Sequence, residues 1–538
     1  MIRCSSARLK AIPLMKNRDT QQAWRYHDLT KHSYLSIRTS PHFLDWANMP
    51  LPFKIYPDLD PIPLPQSMPA ANKTALDAII DHPGGRWTPN LNLGVLSSLL
   101  YYSAGVTRKK NYPGGTLFFR AAACAGALYP IETYLVTRDI EGLPGGVYHF
   151  NPGDFSLRRL REGEWRGAIV SAAAAETGIS EAPVTLVYTA ISWRSSWKYR
   201  ERAYRYHYWD LGMVLANALA IAHGHDLTAR VVMGFVDREI NRIVGIDGGH
   251  ELPLALLPLG NGDAPPAANT DVPLLQIPTV PLSDSEVDYP LIRDLHEASS
   301  LASATEVSEW RVGACDRTGR LDPPDLRSDK PVTPAKRIAL IPPLPRLESG
   351  PGRERLEDVI LRRGSTRRFA RKAMPVTDLA TILDRSTGSF ASDCIAENEH
   401  LNDLYLIVNR VDGLVPGSYI YHRSERALEL LASGDFSDRA AYLVLDQSLG
   451  GDASVTVFFM ADLERVLDRY GNRGYRLAQL EAGLIGGRMY IAAYALNRGA
   501  TGLTFYDDDV TDFFSPRAKG LNCIFVMALG IPGRKPLY

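Results

Sequence analysis

Val184-Thr185-Leu186-Val187-Tyr188 and Val455-Thr456-Val457-Phe458-Phe459 are the two apolar, strand-like segments that decide the fold prediction. They open two stretches, residues 183–260 and 454–530, whose features follow in the same order. After each strand come a Tyr-Arg pair, a helix with an early glycine, an acidic segment and a last strand ending in glycine; the pairs are Tyr204-Arg205 and Tyr475-Arg476, and the early glycines are Gly212 and Gly483. A long-period repeat of this kind sets the architecture of a chain. The sequence therefore predicts a dimer fused into one chain, with a site at the interface of the two copies.

The composition is that of an ordinary globular protein with room for two or more domains. The 538 residues are 45% hydrophobic and 22% charged, and 60 Lys plus Arg balance 60 Asp plus Glu. This balance gives no reason to expect a nucleic acid as partner. No apolar run approaches the roughly 20 residues that cross a bilayer, so we expect no membrane partner and a cytoplasmic location. The five cysteines form no Cys-x-x-Cys pair, so neither a disulfide framework nor a metal site is expected.

The alternation of helices and short strands predicts an α+β fold in two similar halves. Residues 1–70 are Pro-rich and irregular, which favours an extended leader. The predicted domains are then 71–265 and 336–538, joined by a Pro-, Ser- and Asp-rich linker, 266–335, that holds one short helix near 286–300. Apolar spacing and turn residues predict helices at 91–102, 210–223, 354–362 and 376–383, the last with an N-cap at Thr377, and strands at 135–137, 147–150, 404–409 and 418–422.

Two segments of the C-terminal half could bind a ligand. Residues 362–369, Arg-Arg-Gly-Ser-Thr-Arg-Arg-Phe, place four arginines and two hydroxyls at a helix end. Planar guanidinium groups suit a phosphate, although a solvated basic turn is the alternative. Residues 500–509, Ala-Thr-Gly-Leu-Thr-Phe-Tyr-Asp-Asp-Asp, permit close backbone approach. Their acids fit a helix N-terminus better than a divalent-cation site.

Two segments of the N-terminal half are the complementary candidates. The small residues of 120–130 would let backbone approach a flat ligand, or would form a tightly packed turn. Residues 193–208 interleave aromatic and basic side chains and include Lys198-Tyr199. They could stack on a base, line a substrate mouth or simply begin an amphipathic helix. A lysine beside a tyrosine supplies proton-transfer groups if both are partly desolvated.

Over most of its length the chain resembles a tandem nitroreductase-fold flavoprotein of the SagB/ThcOx dehydrogenase type. The resemblance follows an ordered set of motifs rather than any single one. The matching segments are Tyr26-His27-x-x-Thr30-Lys31-His32-Ser33 and Leu44-Asp45-Trp46-Ala47 in the leader, Ala123-Cys124-Ala125-Gly126-Ala127-Leu128-Tyr129-Pro130 for the family's Pro-Ser-Ala-Gly-Ala-Leu-Tyr-Pro, Lys198-Tyr199, Arg363-Gly364-Ser365-x-Arg367-x-Phe369, and Ala500-Thr501-Gly502-Leu503-Thr504-Phe505-Tyr506-Asp507.

The resemblance implies two fused nitroreductase-like domains forming an intrachain pseudo-dimer, with one FMN site between them. In nitroreductase-like dimers the arginine motif and the loop beneath the flavin ring come from one subunit, and the Pro-Ser segment comes from the other. Here each half keeps one set. The implied cofactor-binding residues are Arg363, Ser365 and Arg367 for the phosphate, Leu503, Thr504 and Phe505 beneath the ring, and Ala123, Cys124, Ala125 and Gly126 in the small-residue turn; Lys198 and Tyr199 are the implied catalytic pair. At the mirror position, Lys31-His32-Ser33, residues 392–396 and Arg469-Tyr470 replace these motifs, which predicts a degenerate site.

The implied reaction is FMN-dependent dehydrogenation of an azoline-like ring in a peptide or carrier-bound substrate. Lys198 and Tyr199 would handle the proton, and oxygen would reoxidise the flavin. Cys124 replaces the family's serine; because a thiol is a weak donor, we interpret it as a small hydrophobe. An NAD(P)H-dependent nitro or quinone reductase and a flavin-free scaffold in a biosynthetic complex are the alternatives. A partner protein that presents the substrate, and a further homodimer, stay open.

Overall fold

The computed structural model describes residues 16–80, 91–112, 115–262, 264–315, 337–341 and 352–533. The strands of the N-terminal half are β1 (Pro61–Pro63), β2 (Val106–Tyr112), β3 (Gly115–Arg120), β4 (Ile131–Thr137), β5 (Gly146–Asn151), β6 (Ser156–Glu162), β7 (Val184–Ile191) and β8 (Glu251–Leu259). Those of the C-terminal half are β9 (Arg337–Ala339), β10 (Asp403–Val408), β11 (Gly417–His422), β12 (Ala427–Ser433), β13 (Val455–Ala461), β14 (Gly499–Leu503) and β15 (Asn522–Gly530). All pairings between these strands are antiparallel.

The two sheets have the same strand order, which confirms the repeat. The first sheet runs β1-β6-β5-β4-β7-β8 and the second runs β9-β12-β11-β10-β13-β15-β14, while β2 and β3 form a separate hairpin. The strands that opened the sequence argument, β7 and β13, are equivalent central strands and are buried along their whole length. Strand β14 has only a rudimentary counterpart, because Ala229 and Val232 make isolated bridges to β8.

The helices repeat in the same order. They are α1 (Gln21–Leu29), α2 (Tyr34–Arg38), α3 (Ala75–Ala78), α4 (Leu93–Ala104), α5 (Arg166–Ala172), α6 (Thr177–Glu181), α7 (Ser192–Tyr199), α8 (Ala203–Gly224), α9 (Asp237–Val244), α10 (Pro290–Ala298), α11 (Ala304–Cys315), α12 (Leu356–Arg362), α13 (Val376–Ser386), α14 (Ser437–Leu443), α15 (Ser448–Asp452), α16 (Leu463–Tyr470), α17 (Asn472–Ala495) and α18 (Asp507–Phe514). Helices α7, α8 and α9 thus correspond to α16, α17 and α18. None of these described helices has the length and apolar character needed to cross a membrane.

Helices α8 and α17 form the interface between the halves, and the two early glycines lie where they cross. A Cβ atom on Gly212 would lie 2.4 Å from the amide nitrogen of Leu484, and one on Gly483 would lie 2.5 Å from the carbonyl oxygen of Trp209. Both neighbours are backbone atoms. Glycine is therefore required at both positions for the helices to approach this closely. One hydrophobic core runs through both halves.

The structure differs from the sequence expectations outside the two repeats. The leader is not wholly extended, because α1 buries Ala23, Tyr26 and His27 against the rest of the chain. The predicted helix near 286–300 is present as α10, but α11 was missed. Helix α13 begins after Pro375, so the predicted N-cap at Thr377 is wrong. Residues 1–15 of the leader and 316–335 of the linker lie outside the described residues, and the domain boundaries stay predictions.

Candidate active site

The arginine motif and the loop 500–505 are joined within the C-terminal half. The backbone amide of Thr366 donates to the carbonyl of Ala500 at 2.9 Å. The hydroxyl of Tyr490 on α17 lies 3.1 Å from Ser365 Oγ and accepts from the Gly502 amide at 2.9 Å. Tyr490 therefore holds the serine of one segment to the backbone of the other. Helical spacing gave no signal for this tyrosine, because its role depends on two segments that are distant in the sequence.

The two arginines of the motif have different surroundings. The Arg363 guanidinium crosses to the N-terminal half and donates to the carbonyls of Arg120 and Ala121 at 2.8–3.0 Å. Burial lowers the pKa of Arg363, which also lies over the Tyr490 ring. Arg367 is exposed and, among the described residues, makes no ion pair or hydrogen bond through its side chain. Arg363 thus joins the halves, whereas Arg367 presents an exposed guanidinium.

The small-residue turn is held by a buried acid that the sequence did not single out. Asp210 on α8 accepts from the Ala125 amide at 2.9 Å and from the Cys124 thiol at 3.1 Å. The thiol in turn accepts from the Tyr129 amide at 3.0 Å. The interpretation of Cys124 as a small hydrophobe is therefore wrong, since its sulfur is part of a hydrogen-bond chain. Burial, followed by the Asp210 charge, raises the thiol pKa well above its usual range, so Cys124 is a neutral thiol.

Lys198 and Tyr199 lie beside this turn at the end of α7. A Cβ atom on Gly126 would lie 2.8 Å from the Tyr199 hydroxyl, so turn and phenol are in contact. The Tyr199 ring stacks on Tyr206 with centroids 4.1 Å apart. Burial raises the pKa of Tyr199 well above its usual range. Burial, with the positive charge of Arg367 as second cause, lowers the pKa of Lys198.

The loop residues 503–505 pack against the N-terminal half. The Phe505 ring is buried and lies under the Arg202 guanidinium, 5.1 Å from its centroid, with Trp209 on another side. Leu503 is also buried, and Thr504 faces the Tyr206 hydroxyl. The structure thus brings the predicted segments together at one place between the halves. Lys198 lies near Arg367, the small-residue turn near Arg363, and the loop near α8.

The acidic segment after this loop forms ion pairs across the interface. Asp507 begins α18 and pairs with Arg205 at 2.7 Å and Arg202 at 3.0 Å. In the other half Asp237 begins α9 and pairs with Arg473 at 2.7 Å and Arg476 at 2.8 Å. The helix N-terminus is therefore the correct interpretation of the acids. The described residues contain no cluster of His, Cys, Asp and Glu that could hold a metal ion.

The mirror position is filled by the chain's own side chains. The bridges of Ala229 and Val232 to β8 match those of Ala500 and Leu503 to β15, so Met233 is the counterpart of Thr504 and Gly234 follows it in the equivalent loop. Their amides donate to the Asp393 carboxylate at 2.8 and 2.9 Å, and the Arg311 side chain on α11 donates to the same group at 2.8 Å. A Cβ atom on Gly234 would lie 2.8 Å from Asp393 Oδ2, so this loop has no space over it.

Helix α11 also covers the counterpart of Tyr199. Trp310 is buried, and its indole donates to the Tyr470 carbonyl at 2.9 Å. Arg469, the counterpart of Lys198, pairs with Glu399. Both groups that correspond to the predicted catalytic pair are thus engaged within the protein.

One detail of the predicted mirror site is wrong. Lys31-His32-Ser33 does not take the place of the arginine motif, because the His32 amide donates to Asp507 at 2.8 Å and the Asp507 amide returns a bond to the His32 carbonyl. The segment therefore lies on the candidate-site side. The counterpart of α12 is α3, as shown by the antiparallel bridge between Thr74 and Arg355.

The residues present fit a bound flavin mononucleotide. Arg367 offers an exposed guanidinium and Ser365 a hydroxyl, which suit a phosphate. Gly126 has a left-handed backbone (φ +63°), and its missing Cβ lets the turn lie directly against the Tyr199 hydroxyl. Each of these features comes from a segment that the sequence had marked.

Comparison with known proteins identifies the family and the repeated fold. The nitroreductase family model matches residues 92–261 and 360–531, so the chain belongs to the nitroreductase family and carries its fold twice. A crystal structure of a putative nitroreductase from Anabaena variabilis superimposes with a TM-score of 0.75 at 26% identity, covering 95% of this chain and 99% of that one.

Two curated relatives match single stretches of the chain. The putative nitroreductase MJ1384 of Methanocaldococcus jannaschii is 33% identical over 170 residues, which are 32% of this chain and 81% of that protein. The microcin B17-processing protein McbC of Escherichia coli is 27% identical over 151 residues, which are 27% of this chain and 52% of McbC. The match thus spans about half of McbC. Both the recognition of the family from its motifs and the tandem fold class are confirmed.

Proposed function

We propose that the chain is an FMN-dependent oxidoreductase that dehydrogenates an azoline-like or other amino-acid-derived substrate in natural-product biosynthesis. It would use one flavin site composed from both halves. The observation that carries this proposal is the meeting, across α8 and α17, of the arginine motif and loop 500–505 from one half with the small-residue turn and Lys198-Tyr199 from the other. A flavin-free scaffold would have no need of this convergence.

Residues from both halves would hold the cofactor. Ser365 and Arg367 would bind the phosphate, while Arg363 would keep the arginine motif against the turn. The flavin ring would be held by the backbone of residues 503–505 from the C-terminal half and by the turn 123–126 from the N-terminal half. Bound FMN supplies a two-electron acceptor for the hydride that leaves a carbon atom of the substrate.

Lys198 and Tyr199 would handle the proton of this reaction. A lowered pKa makes the Lys198 amine a better match to a base near neutral pH. The raised pKa of Tyr199 keeps the phenol protonated, so that it can donate to a substrate heteroatom. Lys198 would take the carbon-bound proton, and Tyr199 would orient the ring that loses it.

The filled mirror position supports a stoichiometry of one flavin per chain. Asp393 holds the amides of Met233 and Gly234, whose counterparts lie in the loop of the candidate site. A carboxylate there would repel the electron-rich edge of a flavin, and displacing it would leave Arg311 without its acid. We therefore propose that the mirror site binds no flavin.

The substrate class is supported by the similarity to McbC, which is described as the microcin B17-processing protein. A substrate attached to a peptide or carrier would be brought by a partner protein. The second candidate function is NAD(P)H-dependent reduction of nitro compounds or quinones. It is favoured by the two relatives described as nitroreductases. Anaerobic mixing with NADPH distinguishes the two, because only the reductase would bleach its flavin rapidly.

We expect the purified protein to be yellow and to release one FMN per chain. In Arg367→Ala we expect FMN affinity to fall about 10- to 100-fold, because one charge-assisted contact is worth about 1.5–3 kcal/mol. The measurement is the visible spectrum, with released FMN quantified against chain concentration, followed by fluorescence titration of the apoprotein.

Arg368→Ala is the matched control, because Arg368 is the adjacent exposed arginine and we assign it no role; its affinity should stay within about twofold of the wild type. Two flavins per chain would contradict the single composite site. A protein that stays colourless after reconstitution would contradict the oxidoreductase and favour the scaffold.

Lys198→Met is expected to retain FMN and to lose about 10²- to 10⁴-fold in kcat, which is the usual contribution of a positioned base. Tyr199→Phe keeps the stack on Tyr206 and should lower kcat less. Single-turnover flavin reduction by an azoline-containing peptide measures both. Tyr470→Phe, the mirror counterpart, should leave turnover unchanged; equal losses in Tyr199→Phe and Tyr470→Phe would refute the assignment.

A further inference from the structure

Asp210 is a buried carboxylate without a basic partner among the described residues. It lies on α8, and only 4% of its surface is exposed. Its two oxygens accept from the Ala125 amide and the Cys124 thiol, both neutral donors. An acid buried in this way would be costly if it served stability alone, because desolvation disfavours the charged form.

The turn that Asp210 holds is conformationally strained. Gly126, Ala127 and Tyr129 all have left-handed backbone, with φ values of +63°, +55° and +51°. Alanine and tyrosine adopt this region only at an energetic cost, because their Cβ atoms crowd the backbone there. Such a turn persists only where the surrounding structure fixes it, and the Asp210 hydrogen bonds fix its first two residues.

We propose that Asp210 is a positioning residue of the candidate active site, whose carboxylate fixes the turn 124–127 against the Tyr199 hydroxyl. It acts through the turn and does not touch substrate. This role goes beyond the proposed function and depends on it only for its effect on turnover. The contact between Gly126 and the Tyr199 hydroxyl is the link, since a turn released from Asp210 would shift the surface that faces the phenol.

The mirror half shows what a purely structural acid does at this position. Glu481 on α17 is the counterpart of Asp210, two residues before the crossing glycine in each helix. It accepts from the Leu401 amide at 2.9 Å and the Asn402 side chain at 2.7 Å, and His400 lies 3.5 Å away. Both acids therefore tie down the chain before a central strand, but only Asp210 contacts a strained turn and a thiol.

The titration of Asp210 makes the role measurable. Burial raises its pKa to about 7. Two titratable groups face the Asp210 carboxylate, the Cys124 thiol in the turn and the Tyr199 phenol on α7. Behind the thiol lie the Arg120 guanidinium of β3 and the Tyr129 phenol. Ionised Asp210 accepts from both donors of the turn. Once it is protonated, one oxygen becomes a donor and the thiol hydrogen must turn away.

The test compares Asp210→Asn with the wild type. Asparagine resembles the protonated acid, so we expect kcat to fall about 10- to 100-fold with KM within about twofold, a typical loss for a slightly misplaced group. The wild-type kcat should decrease more steeply than that of the variant as pH falls through about 7, because both proteins share the titration of Lys198 and only the wild type adds that of Asp210. Cys124→Ser keeps a donor and should retain the transition, and Glu481→Gln should retain both rate and transition.

A second readout separates this inference from the proposed function. Infrared difference spectra of the protein without substrate should show a carboxylic-acid band that disappears near pH 7 and is missing in Asp210→Asn. An unchanged rate and pH profile in a folded Asp210→Asn variant would overturn the positioning role. The infrared band still reports on Asp210 if the protein turns out to bind no flavin, so the two failures are distinguishable.

Discussion

Gly483→Ala is expected to destabilise the whole chain by about 3 kcal/mol and to weaken flavin retention with it. The added methyl group would lie 2.5 Å from the Trp209 carbonyl oxygen and 2.7 Å from the Trp209 Cα, so helix α17 must move away from α8. Overpacking a rigid interior costs about 1–3 kcal/mol, and backbone neighbours put this site at the upper end. The loss should appear in spite of the gain of about 1 kcal/mol that alanine brings to a helix.

The measurement for Gly483→Ala is denaturant unfolding followed by circular dichroism, with FMN release recorded in parallel. Gly313→Ala in α11 is the control, because its methyl group would meet only the flexible end of Arg18. That variant should be as stable as the wild type or slightly more so. Gly212→Ala should match Gly483→Ala, because its Cβ would lie 2.4 Å from the Leu484 amide.

The double variant Gly212→Ala/Gly483→Ala tests whether the two glycines serve the same helix crossing. The two methyl groups lie at one crossing, so separation of the helices relieves both and the costs should add to less than their sum. Fully additive losses would mean that each glycine serves its own half. They would contradict the view that α8 and α17 form a single interface.

The tandem fold could be predicted because the repeat shows in short sequence segments that occur in the same order in both halves. The β7 and β13 segments, the Tyr-Arg pairs and the early glycines each have a period or a residue type that the sequence displays. Because the two halves repeat these segments, their sheets are expected to have the same strand order, as they do. Helix α11 was missed because residues 304–315 sit in a Pro- and Ser-rich stretch, where the helical signal is weak, and it forms against the mirror site through Trp310 and Arg311.

The candidate site was predictable in its segments but not in its connections. The motifs named Arg363, Ser365, Lys198 and the turn, and the structure places them together. Tyr490, Asp210 and Asp393 have no local signature, since each acts on backbone that is distant in the sequence. The Cys124 interpretation failed for the same reason, because its partner is supplied by α8.

Removing Asp507 is expected to cost about 3–5 kcal/mol of stability, which is the usual penalty for leaving a buried charge without its partner. Asp507→Ala would leave the Arg202 and Arg205 guanidinium groups without their carboxylate partner, and these side chains are only 3% and 0% exposed. Asp237→Ala would do the same to Arg473 and Arg476 in the other half. Equilibrium unfolding should therefore give similar losses for the two variants.

The free energy of unfolding should also depend on pH because of these ion pairs. Nearby arginines lower the pKa of Asp507 and of Asp237 to about 2, below the ordinary aspartate value. A lowered pKa in the folded state means that the stabilisation is complete above pH of about 4 and is lost as pH falls toward 2. Each pair should contribute about 2 kcal/mol of this dependence, so each alanine variant should unfold with a shallower slope between pH 4 and 2.

Flavin binding separates the two pairs, which are otherwise equivalent. Asp507 lies two residues after the loop 503–505, and its carboxylate accepts from the His32 amide, so Asp507→Ala should shift that loop and weaken FMN binding. Asp237 follows the counterpart loop, which Asp393 already occupies. Asp237→Ala, measured at a temperature where both variants are folded, should therefore bind FMN as the wild type does. Equal loss of FMN in both would mean that the ion pairs act only through global stability, and that the two halves do not divide their roles as we propose.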